Sequence, residues 1–206
     1  MANRLEDFPF EYWDRDTSVI FRKTNEEFGG LSNMAAGYPL EICGKVWRTS
    51  EALYQALRFP DFIDVQQKIY VQASPMAAKM VSKPHRLSES RSDWDEFRVE
   101  IMFWCLEVKL FQHQEKFGEL LRRTGTRDIV ESSSKDKFWG AIEQNSGSLH
   151  GQNVLGRLLM RLRSNAKSSA WEGSRPTDTS TELRLFGKTL KSAELSNHVF
   201  DGTLGL

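Results

Sequence analysis

A stretch of twenty residues, DWDEFRVEIMFWCLEVKLFQ at positions 93–112, constrains the fold of this chain more than any other feature. Its large apolar residues recur at helical spacing, and these are Trp94, Phe97, Ile101, Trp104, Cys105, Val108 and Phe111. An apolar stripe of this length has to be covered by other elements. The segment therefore predicts a central core helix, with Asp93 and Glu96 spaced like a capping box at its start.

Shorter helical patterns surround this segment, and β-like stretches are few. The predicted helices are SEALYQALRF at 50–59, DFIDVQQKIYVQA at 61–73, SPMAAKMVS at 74–82, QEKFGELLRRTG at 114–125 and a last one from about residue 154. The predicted strands are TSVIFR at 17–22, the pair YPLEI and KVWRT turning at Cys43 and Gly44, and DIVES at 128–132. These patterns predict a mainly α fold with a small β-element, an α+β class, in a single compact helical domain with a short hairpin near the N-terminus.

The last predicted helix has two different sides. Leucines at 155, 158, 159 and 162 form one side, and Arg157, Arg161 and Arg163 form the other. After Arg163 the chain turns polar and contains Pro, Gly and Ser, which is typical of a linker. We therefore expect a main domain at 17–163, a polar linker at 164–181 and a C-terminal tail at 182–206 that docks back as a strand or hairpin.

Charge and motif content exclude several function classes. Acidic and basic residues number 28 each, so no bulk cationic field holds the protein on nucleic acid, and any such contact should be local. Walker, GxGxxG, HExxH and GxSxG motifs are missing, and Cys43, Cys105 and the four histidines form no ligand pattern, so we expect no metal and no cofactor. The sequence shows no secretory signal and no apolar run near the ~20 residues of a membrane helix. We expect a soluble, cytoplasmic protein with no membrane partner.

The helix at 50–59 carries the first candidate site residues. Glu51, Tyr54, Gln55 and Arg58 share one of its faces. This face is either solvated or the wall of a polar pocket, in which Glu51 acts near the helix start and Arg58 faces an anion. Asn33, at the end of EFGGLSN, follows two adjacent glycines and offers both a donor and an acceptor.

Trp94 and the segment at 136–140 are further candidates. Asp136 lies just ahead of Trp139 and Gly140, and an acid beside a large aromatic residue is how a carboxylate is partly desolvated and a planar group stacked. Surface loops also contain such acids, so the pattern alone does not decide. Trp94 is either a core residue or a rim residue on which a base stacks.

Gly151, Gln152 and Asn153 lead into the last predicted helix. Free N–H groups and the positive end of the dipole at a helix start form a site for a phosphate or pyrophosphate. Gly151 allows close approach, and Asn153 is able to cap the helix. Because helix caps are common, this pattern by itself does not establish a ligand site.

Six motifs occur in the order and spacing of the NADAR family, also called YbiA-like, which the chain resembles from about Phe21 to Arg163. They are GGLSNM, RTSEALYQALRF, SDWDEFRVEIM, KLFQ, LLRRTGTRDIVESSSKDKFWG and GQNVLGRLLMRLR. The resemblance implies a compact, mainly α-helical catalytic domain that cleaves N-glycosidic bonds. It implies one of two activities: removal of ADP-ribose from guanine, often encoded beside a DNA ADP-ribosylating toxin, or hydrolysis of reactive intermediates of riboflavin synthesis.

The residue patterns and the resemblance together single out one set of site residues. Glu51 and Asp136 are the expected catalytic acids, one stabilising a ribosyl cation or activating water and the other assisting, in either assignment. The expected substrate-binding residues are Asn33, Tyr54, Gln55, Arg58, Trp94, Trp139, Gly140, Gly151, Gln152 and Asn153. Among these, the two tryptophans stack on the base or close the pocket, and residues 151–153 hold the pyrophosphate.

The chain departs from the family pattern at two positions. Ala52 and Arg58 replace the histidine and lysine of the family's EHYYQAxKF motif. Since Arg cannot form a Schiff base, a route through an imine needs an amine from Lys45 or Lys135.

Three functions remain open at this point. The leading expectation is a hydrolase that removes ADP-ribose from ADP-ribosylated guanine in DNA or a nucleoside, in association with a DNA ADP-ribosyltransferase toxin that it reverses. The second is an N-glycosidase acting on ribosylamino-pyrimidine phosphates of riboflavin synthesis. The third is a non-catalytic module that binds ADP-ribose or NAD, although such a module gains little from buried acids beside its ligand.

Overall fold

The structure, a computed structural model, describes residues 8–167 and 175–196. Parts of the predicted linker and tail, at 168–174 and 197–206, lie outside the described residues. The helices are α1 (Ser50–Leu57), α2 (Ile63–Tyr70), α3 (Pro75–Ser82), α4 (Trp94–Gln112), α5 (Glu119–Arg123) and α6 (Val154–Lys167). The strands are β1 (Glu11–Trp13), β2 (Val19–Phe21), β3 (Leu40–Ile42), β4 (Lys45–Trp47), β5 (Ile129–Glu131), β6 (Ile142–Glu143), β7 (Leu149–Gly151), β8 (Arg184–Leu185) and β9 (Lys188–Thr189). This is the expected α+β fold, dominated by helices.

The strands form small, separate sheets. β2 pairs in parallel with β5, with Phe21 opposite Glu131, so the two segments predicted as strands at 17–22 and 128–132 lie side by side. β1, β7 and β6 form a three-stranded antiparallel sheet that the sequence analysis did not anticipate. Its strands are only two or three residues long, too short for an alternating pattern to be recognised.

The predicted hairpin is confirmed in β3 and β4, which pair in antiparallel fashion. Cys43 and Gly44 connect them with φ angles of 53° and 72°. Two successive residues with positive φ are the signature of a type I′ turn, whose twist matches that of the flanking strands. Gly44 favours this turn, and Cys43 adopts the left-handed region despite its side chain.

The α4 helix runs through the core, as expected, and packs against α1, α6 and β3. Its start corrects one prediction, because Asp93 does not cap the helix with its side chain. The Asp93 carboxylate instead accepts two hydrogen bonds from the Arg91 guanidinium, at 2.5 and 2.9 Å. The spacing of a capping box is present, but the Asp93 carboxylate accepts hydrogen bonds from Arg91 instead of from the helix N-terminus.

The α6 helix packs its leucines inward as predicted, but one of its arginines is misassigned to the outer face. Arg163 is buried, and its guanidinium donates to Thr124 Oγ1 at 2.7 Å and to the carbonyl of Arg127 at 2.9 Å. It closes the turn between α5 and β5. The helix continues to Lys167, so its last residues fall inside the range expected to be linker.

The described part of the C-terminal segment packs along α4. Glu100 accepts hydrogen bonds from the N–H and hydroxyl of Ser180 at 2.5 and 2.6 Å. β8 and β9 form a small hairpin that brings Leu183 and Leu185 into the main core. Among the described residues, no helix has both the length and the apolar character needed to cross a membrane.

Candidate active site

One cavity of about 460 Å³ opens where α1, α3, the start of α4 and the loop after β5 meet. Its acidic residues are Glu51, Glu131 and Asp136, and its cationic residues are Arg22, Arg58, Lys79, Arg86 and Arg98. The rest of its wall consists of Tyr54, Trp94 and Trp139 together with Asn33, Met34, Gln55, Met102, Leu155 and the serines at 132–134. Acids, cations and aromatic rings therefore face one space.

The α1 helix forms one wall of this cavity, and all eight of its residues are buried. Thr49 caps the helix, because its hydroxyl accepts the N–H of Ala52 at 3.2 Å. Glu51, Tyr54 and Gln55 are each no more than 5% exposed, which excludes the interpretation of this face as solvated. The helix presents its polar side to the cavity.

Glu51 is held from two directions inside the wall. Its Oε2 accepts the Asn33 amide at 2.5 Å, and its Oε1 accepts the Gln55 amide at 2.9 Å. Burial raises the pKa of Glu51, while Lys79 and the two amide hydrogen bonds oppose that rise. The structure thus brings together Glu51 and Asn33, two residues separated in sequence but both singled out from it.

Gln55 connects Glu51 to Arg86, a cation that follows α3 in the chain. Its Oε1 accepts the hydroxyl of Ser82 at 2.8 Å and the guanidinium of Arg86 at 3.1 Å. Since the oxygen takes both donors, the amide nitrogen has to point at Glu51. The chain of hydrogen bonds therefore fixes the position of Arg86 relative to the acid.

Trp94 belongs to both environments that the sequence left open. It is buried in the core cluster, and it also lines the cavity. Its ring lies 5.0 Å from Tyr54, and the Arg58 guanidinium lies 4.8 Å from the centre of the indole. Arg58 is held there by a 2.6 Å hydrogen bond from its Nε to Ser90 Oγ. Trp139 joins the cluster with an edge contact to Tyr54 at 5.8 Å.

Asp136 shapes its own loop and still faces the cavity. Its Oδ1 accepts the backbone N–H groups of Phe138 and Trp139, each at 2.9 Å, and its own N–H donates to Ser133 Oγ at 2.9 Å. These bonds use one carboxylate oxygen only. The Oδ2 atom is left for other contacts.

Glu131 is the acidic residue that the sequence analysis missed. It is the last residue of β5, and it lines the cavity beside Asp136 and Glu51. Burial, followed by the charges of Asp136 and Glu51, raises the pKa of Glu131 to about 7. In the stretch DIVES, the acid follows two apolar residues. The direction of its side chain could not be predicted without knowing that β5 pairs with β2.

Four cations of the wall were also missed. Lys79 and Arg86 lie seven residues apart with the buried Ser82 between them, and Arg98 lies one helical turn after Trp94. These spacings are detectable in the sequence, because residues three, four and seven apart share a helical face. Arg22 follows β2 and carried no comparable signal.

Several expected substrate-binding residues lie outside the cavity wall. Gly140 and Gly151 are close to each other, because a Cβ added at Gly151 would lie 2.4 Å from the Gly140 carbonyl oxygen. Gln152 directs its side chain to the carbonyl of Phe8, at 2.8 Å. The glycines here allow two backbone segments to approach each other.

The first two N–H groups of α6 are engaged within the protein. Val154 and Leu155 donate their N–H groups to the carbonyls of Phe138 and Trp139, each at 3.0 Å. Asn153 is fully buried with a φ of 50°, and its side chain bonds the Ile129 carbonyl and the Glu131 N–H at 2.8 and 3.1 Å. These donors hold the loop at 136–139 and the strand β5, and residues 151–153 do not line the cavity. A pyrophosphate at this helix start therefore stays a prediction that the cavity geometry does not support.

The two lysines considered for an imine route also lie elsewhere. Lys45 sits in β4 with its ammonium 5.0 Å from the Tyr70 ring and 4.7 Å from the Phe186 ring. Lys135 is exposed and is not part of the cavity wall. Lys79 is the lysine in the wall. Among the described residues, no cluster of His, Cys, Asp and Glu could hold a metal ion.

The NADAR domain model matches residues 20–167, and this range includes every residue of the cavity wall. The chain belongs to the NADAR family. It is 35% identical over 149 residues to the Escherichia coli K12 protein named N-glycosidase YbiA, covering 72% of this chain and 88% of that protein. The Escherichia coli YbiA structure, determined by NMR, is similar with a TM-score of 0.64 at 32% identity, covering 84% of this chain and 95% of that one.

Other NADAR relatives carry names from riboflavin synthesis. The chain is 33% identical over 154 residues to riboflavin biosynthesis protein VVA0006 of Vibrio vulnificus, covering 74% of this chain and 39% of that protein. It is 30% identical over 163 residues to the chloroplastic riboflavin biosynthesis protein PYRR of Zea mays, covering 72% of this chain and 25% of that protein. The NADAR domain is thus one part of these longer relatives.

Proposed function

We propose that this protein is an N-glycosidase that hydrolyses the bond between a base and a phosphorylated ribose. The observation that carries the proposal is a single cavity in which three acids face five cations. Acids are what cleavage of a glycosidic bond requires, and cations are what a phosphorylated sugar requires. The relatives named N-glycosidase YbiA support the same reaction class.

Asp136 fits the role of the acid that acts on the ribose. As the C–N bond breaks, positive charge develops on the ribose, and a carboxylate beside it stabilises this charge or activates the attacking water. Two backbone N–H groups hold the Asp136 carboxylate in place, with Oδ2 directed to the substrate in our proposal. Glu51, anchored by Asn33 and Gln55, assists from the opposite wall.

The cations replace the helix start as the proposed phosphate site. Arg58 and Arg86 are each held by hydrogen bonds to neighbouring side chains, so their guanidinium groups lose little freedom when they bind an anion. Lys79, in α3, adds an ammonium group to the same cavity wall. Phosphate oxygens accept the planar array of arginine donors in pairs, which orients the sugar as well as binding it.

We favour ADP-ribosylated guanine, in DNA or as a nucleoside, as the substrate. Arg22, Arg58, Lys79, Arg86 and Arg98 come from four separate parts of the chain, which suits a diphosphate between two ribose units better than one terminal phosphate. In this proposal Trp139 stacks on the base. Association with a DNA ADP-ribosyltransferase toxin belongs to the same proposal, and contact with DNA would be local because the net charge is zero.

The relatives' names favour a second candidate substrate. Proteins named for riboflavin synthesis are 33% and 30% identical to this chain over most of its length. Under this alternative the protein cleaves a ribosylamino-pyrimidine phosphate, an N-glycoside with a single phosphate. The same acids would act, and only part of the cation set would contact the phosphate.

Product analysis separates these substrates. The protein is incubated with ADP-ribosylated guanosine, with ADP-ribosylated DNA and with the ribosylamino-pyrimidine phosphate, and the products are followed by mass spectrometry. Free ADP-ribose with regenerated guanine supports the first substrate, whereas turnover of the pyrimidine alone supports the second. Binding of ADP-ribose without turnover of any of them contradicts the proposed reaction.

A further inference from the structure

Glu131 is held in the cavity wall by its backbone rather than by its side chain. Its N–H donates to Asn153 Oδ1 at 3.1 Å, and its carbonyl accepts the N–H of Ala141 at 2.8 Å. Its strand neighbour is Phe21 of β2. With the backbone bonded on each side, the side chain is free to act on a ligand without supporting the strand.

The three acids of the cavity differ in their hydrogen-bond partners. Glu51 accepts two amide N–H groups, and Asp136 accepts two backbone N–H groups. The Glu131 carboxyl has no hydrogen bond or ion pair with any residue in the described ranges 8–167 and 175–196. Donated N–H groups stabilise a carboxylate, so the acid without them is the one that retains a proton most readily.

We propose that Glu131 is the general acid that protonates the leaving base. The inference rests on the proposed N-glycosidase function and assigns a catalytic role to the third acid of the same cavity. The Glu131 carboxyl gives its proton to the base nitrogen as the C–N bond breaks, and the bonding electron pair stays on the base. Water adds its oxygen to the anomeric carbon and passes one proton to Asp136, after which Asp136 releases that proton and Glu131 regains one from solvent.

The charges around Glu131 are consistent with this role. Burial raises the pKa of Glu131 most, followed by the charges of Asp136, in the loop after β5, and Glu51, in α1, while Lys79 of α3 opposes them. Arg22, next to the paired strand β2, and the arginines at 58, 86 and 98 also line the cavity. The resulting pKa of about 7 leaves the Glu131 carboxyl largely protonated below neutral pH, as a general acid requires.

The decisive experiment compares two leaving groups in Glu131→Gln, Asp136→Asn and wild type. One substrate is the ADP-ribosylated or phosphoribosylated base that wild type cleaves, and the other is a nitrophenyl ribosyl phosphate, whose phenolate departs without a proton. Glu131→Gln should lose about 10²–10⁴ in kcat/KM on the base substrate and less than about tenfold on the nitrophenyl substrate. Asp136→Asn should lose activity on both, and Glu115→Gln, an exposed acid outside the cavity, should lose none.

The outcomes distinguish this proposal from the one on which it rests. Equal losses on both substrates, or an undiminished rate in Glu131→Gln, overturn the role of Glu131 and leave the N-glycosidase function standing. A wild type that cleaves neither base substrate overturns both. The wild-type pH profile tests the proposal without any variant, since cleavage of the base should decline above about pH 7 and cleavage of the nitrophenyl substrate should not. Parallel decline of the two profiles overturns the role.

Discussion

Asp136 has one carboxylate oxygen that is not used by its own loop, and a substitution can test that oxygen separately. In Asp136→Asn the Oδ1 atom still accepts the N–H groups of Phe138 and Trp139, so the turn should persist. The negative charge is lost, and we expect kcat/KM to fall by about 10²–10³ because charge on the ribose is no longer stabilised. Melting curves check the fold, and an undiminished rate in a folded variant contradicts the role.

Glu131 makes the stability of the protein depend on pH. The pKa of Glu131 is about 7 in the folded state, against an ordinary value of 4.5. The protonated carboxyl therefore contributes stability that is fully present below pH 4.5 and is lost as the pH rises through 7. Relative to Glu131→Gln, wild type should lose about 1–3 kcal/mol in free energy of unfolding between pH 5 and pH 8. Urea unfolding at both pH values measures this difference. The difference in free energy of unfolding between wild type and Glu115→Gln should be the same at pH 5 and pH 8.

At the residue scale, sequence reasoning found the acids that lie in recognisable patterns. Glu51 stands in the first turn of an amphipathic helix, and Asp136 precedes an aromatic pair, and both line the cavity. Glu131 could not be found this way, because its position depends on a parallel pairing between β2 and β5. Residue type and spacing indicate which side chains lie on one face of a helix or strand, but they do not indicate which distant segments pack against that face.

At the scale of elements, α4 supports the cavity through a buried lysine. Lys109 is fully buried, and its Nζ donates to the carbonyls of Gly30 and Ser32 at 2.6 and 3.1 Å. These carbonyls belong to the loop that ends at Asn33, whose amide holds Glu51. The amine of the core helix thereby positions the loop that in turn positions the acid.

Substitution of Lys109 by Met should therefore reduce both stability and activity. Two buried carbonyls lose their donor, which costs about 1–3 kcal/mol in free energy of unfolding. Burial lowers the pKa of Lys109 from 10.5 to about 7, so its contribution is present at high pH and declines as pH falls through 7. The loss on substitution should be larger at pH 9 than at pH 6.5, measured by chemical unfolding.

Lys116→Met is the matched control for this substitution. Lys116 also donates to a carbonyl, that of Gly37 at 3.2 Å, but the bond is exposed to solvent. We expect little change in stability, because water replaces the lost donor. Equal losses in the two variants, or full activity in a stable Lys109→Met protein, would contradict the supporting role of Lys109.

The start of α6 shows how little the rule for helix N-termini specifies. A helix N-terminus offers donors, but the rule does not specify the acceptor. Here the carbonyls of Phe138 and Trp139 take the donors of Val154 and Leu155, and so α6 holds the loop that follows Asp136. The same donors would be indistinguishable in sequence from a phosphate site, because the acceptors lie fifteen or more residues away.

At the scale of the whole molecule, the helical core was predictable and the connections between sheets were not. The central helix, the type I′ hairpin and the inward leucines of α6 follow from periodicity and turn residues. The three-stranded sheet joins β1 to β7 across most of the chain, with Tyr12 opposite His150. Pairings of such sequence separation depend on tertiary packing, which local patterns do not encode.

The C-terminal segment should stabilise the domain without contributing to the cavity. Leu183, Leu185 and Leu195 are buried in the main core, and Trp104 donates to Ser192 Oγ at 3.4 Å. A chain ending after Lys167 should lose about 3 kcal/mol or more in free energy of unfolding, because these contacts disappear. Tryptophan emission should shift to the red.

The truncated chain should keep its activity although it loses stability. None of the described residues at 175–196 lines the cavity, so kcat/KM should be retained at temperatures where the truncated chain is folded. An unchanged melting temperature would contradict the packing role of the segment. Loss of activity in a demonstrably folded truncated chain would place the segment in the site.

The most direct test of the central claim is identification of the bond that the protein breaks. Wild type and Asp136→Asn are incubated with ADP-ribosylated guanosine and with the ribosylamino-pyrimidine phosphate, and every product is identified by its mass. The expected result is a free base and an intact phosphorylated sugar from at least one substrate, formed by wild type and strongly reduced in the variant. Cleavage within the phosphates, or no product from either substrate, would contradict the assignment of this cavity as an N-glycosidase site.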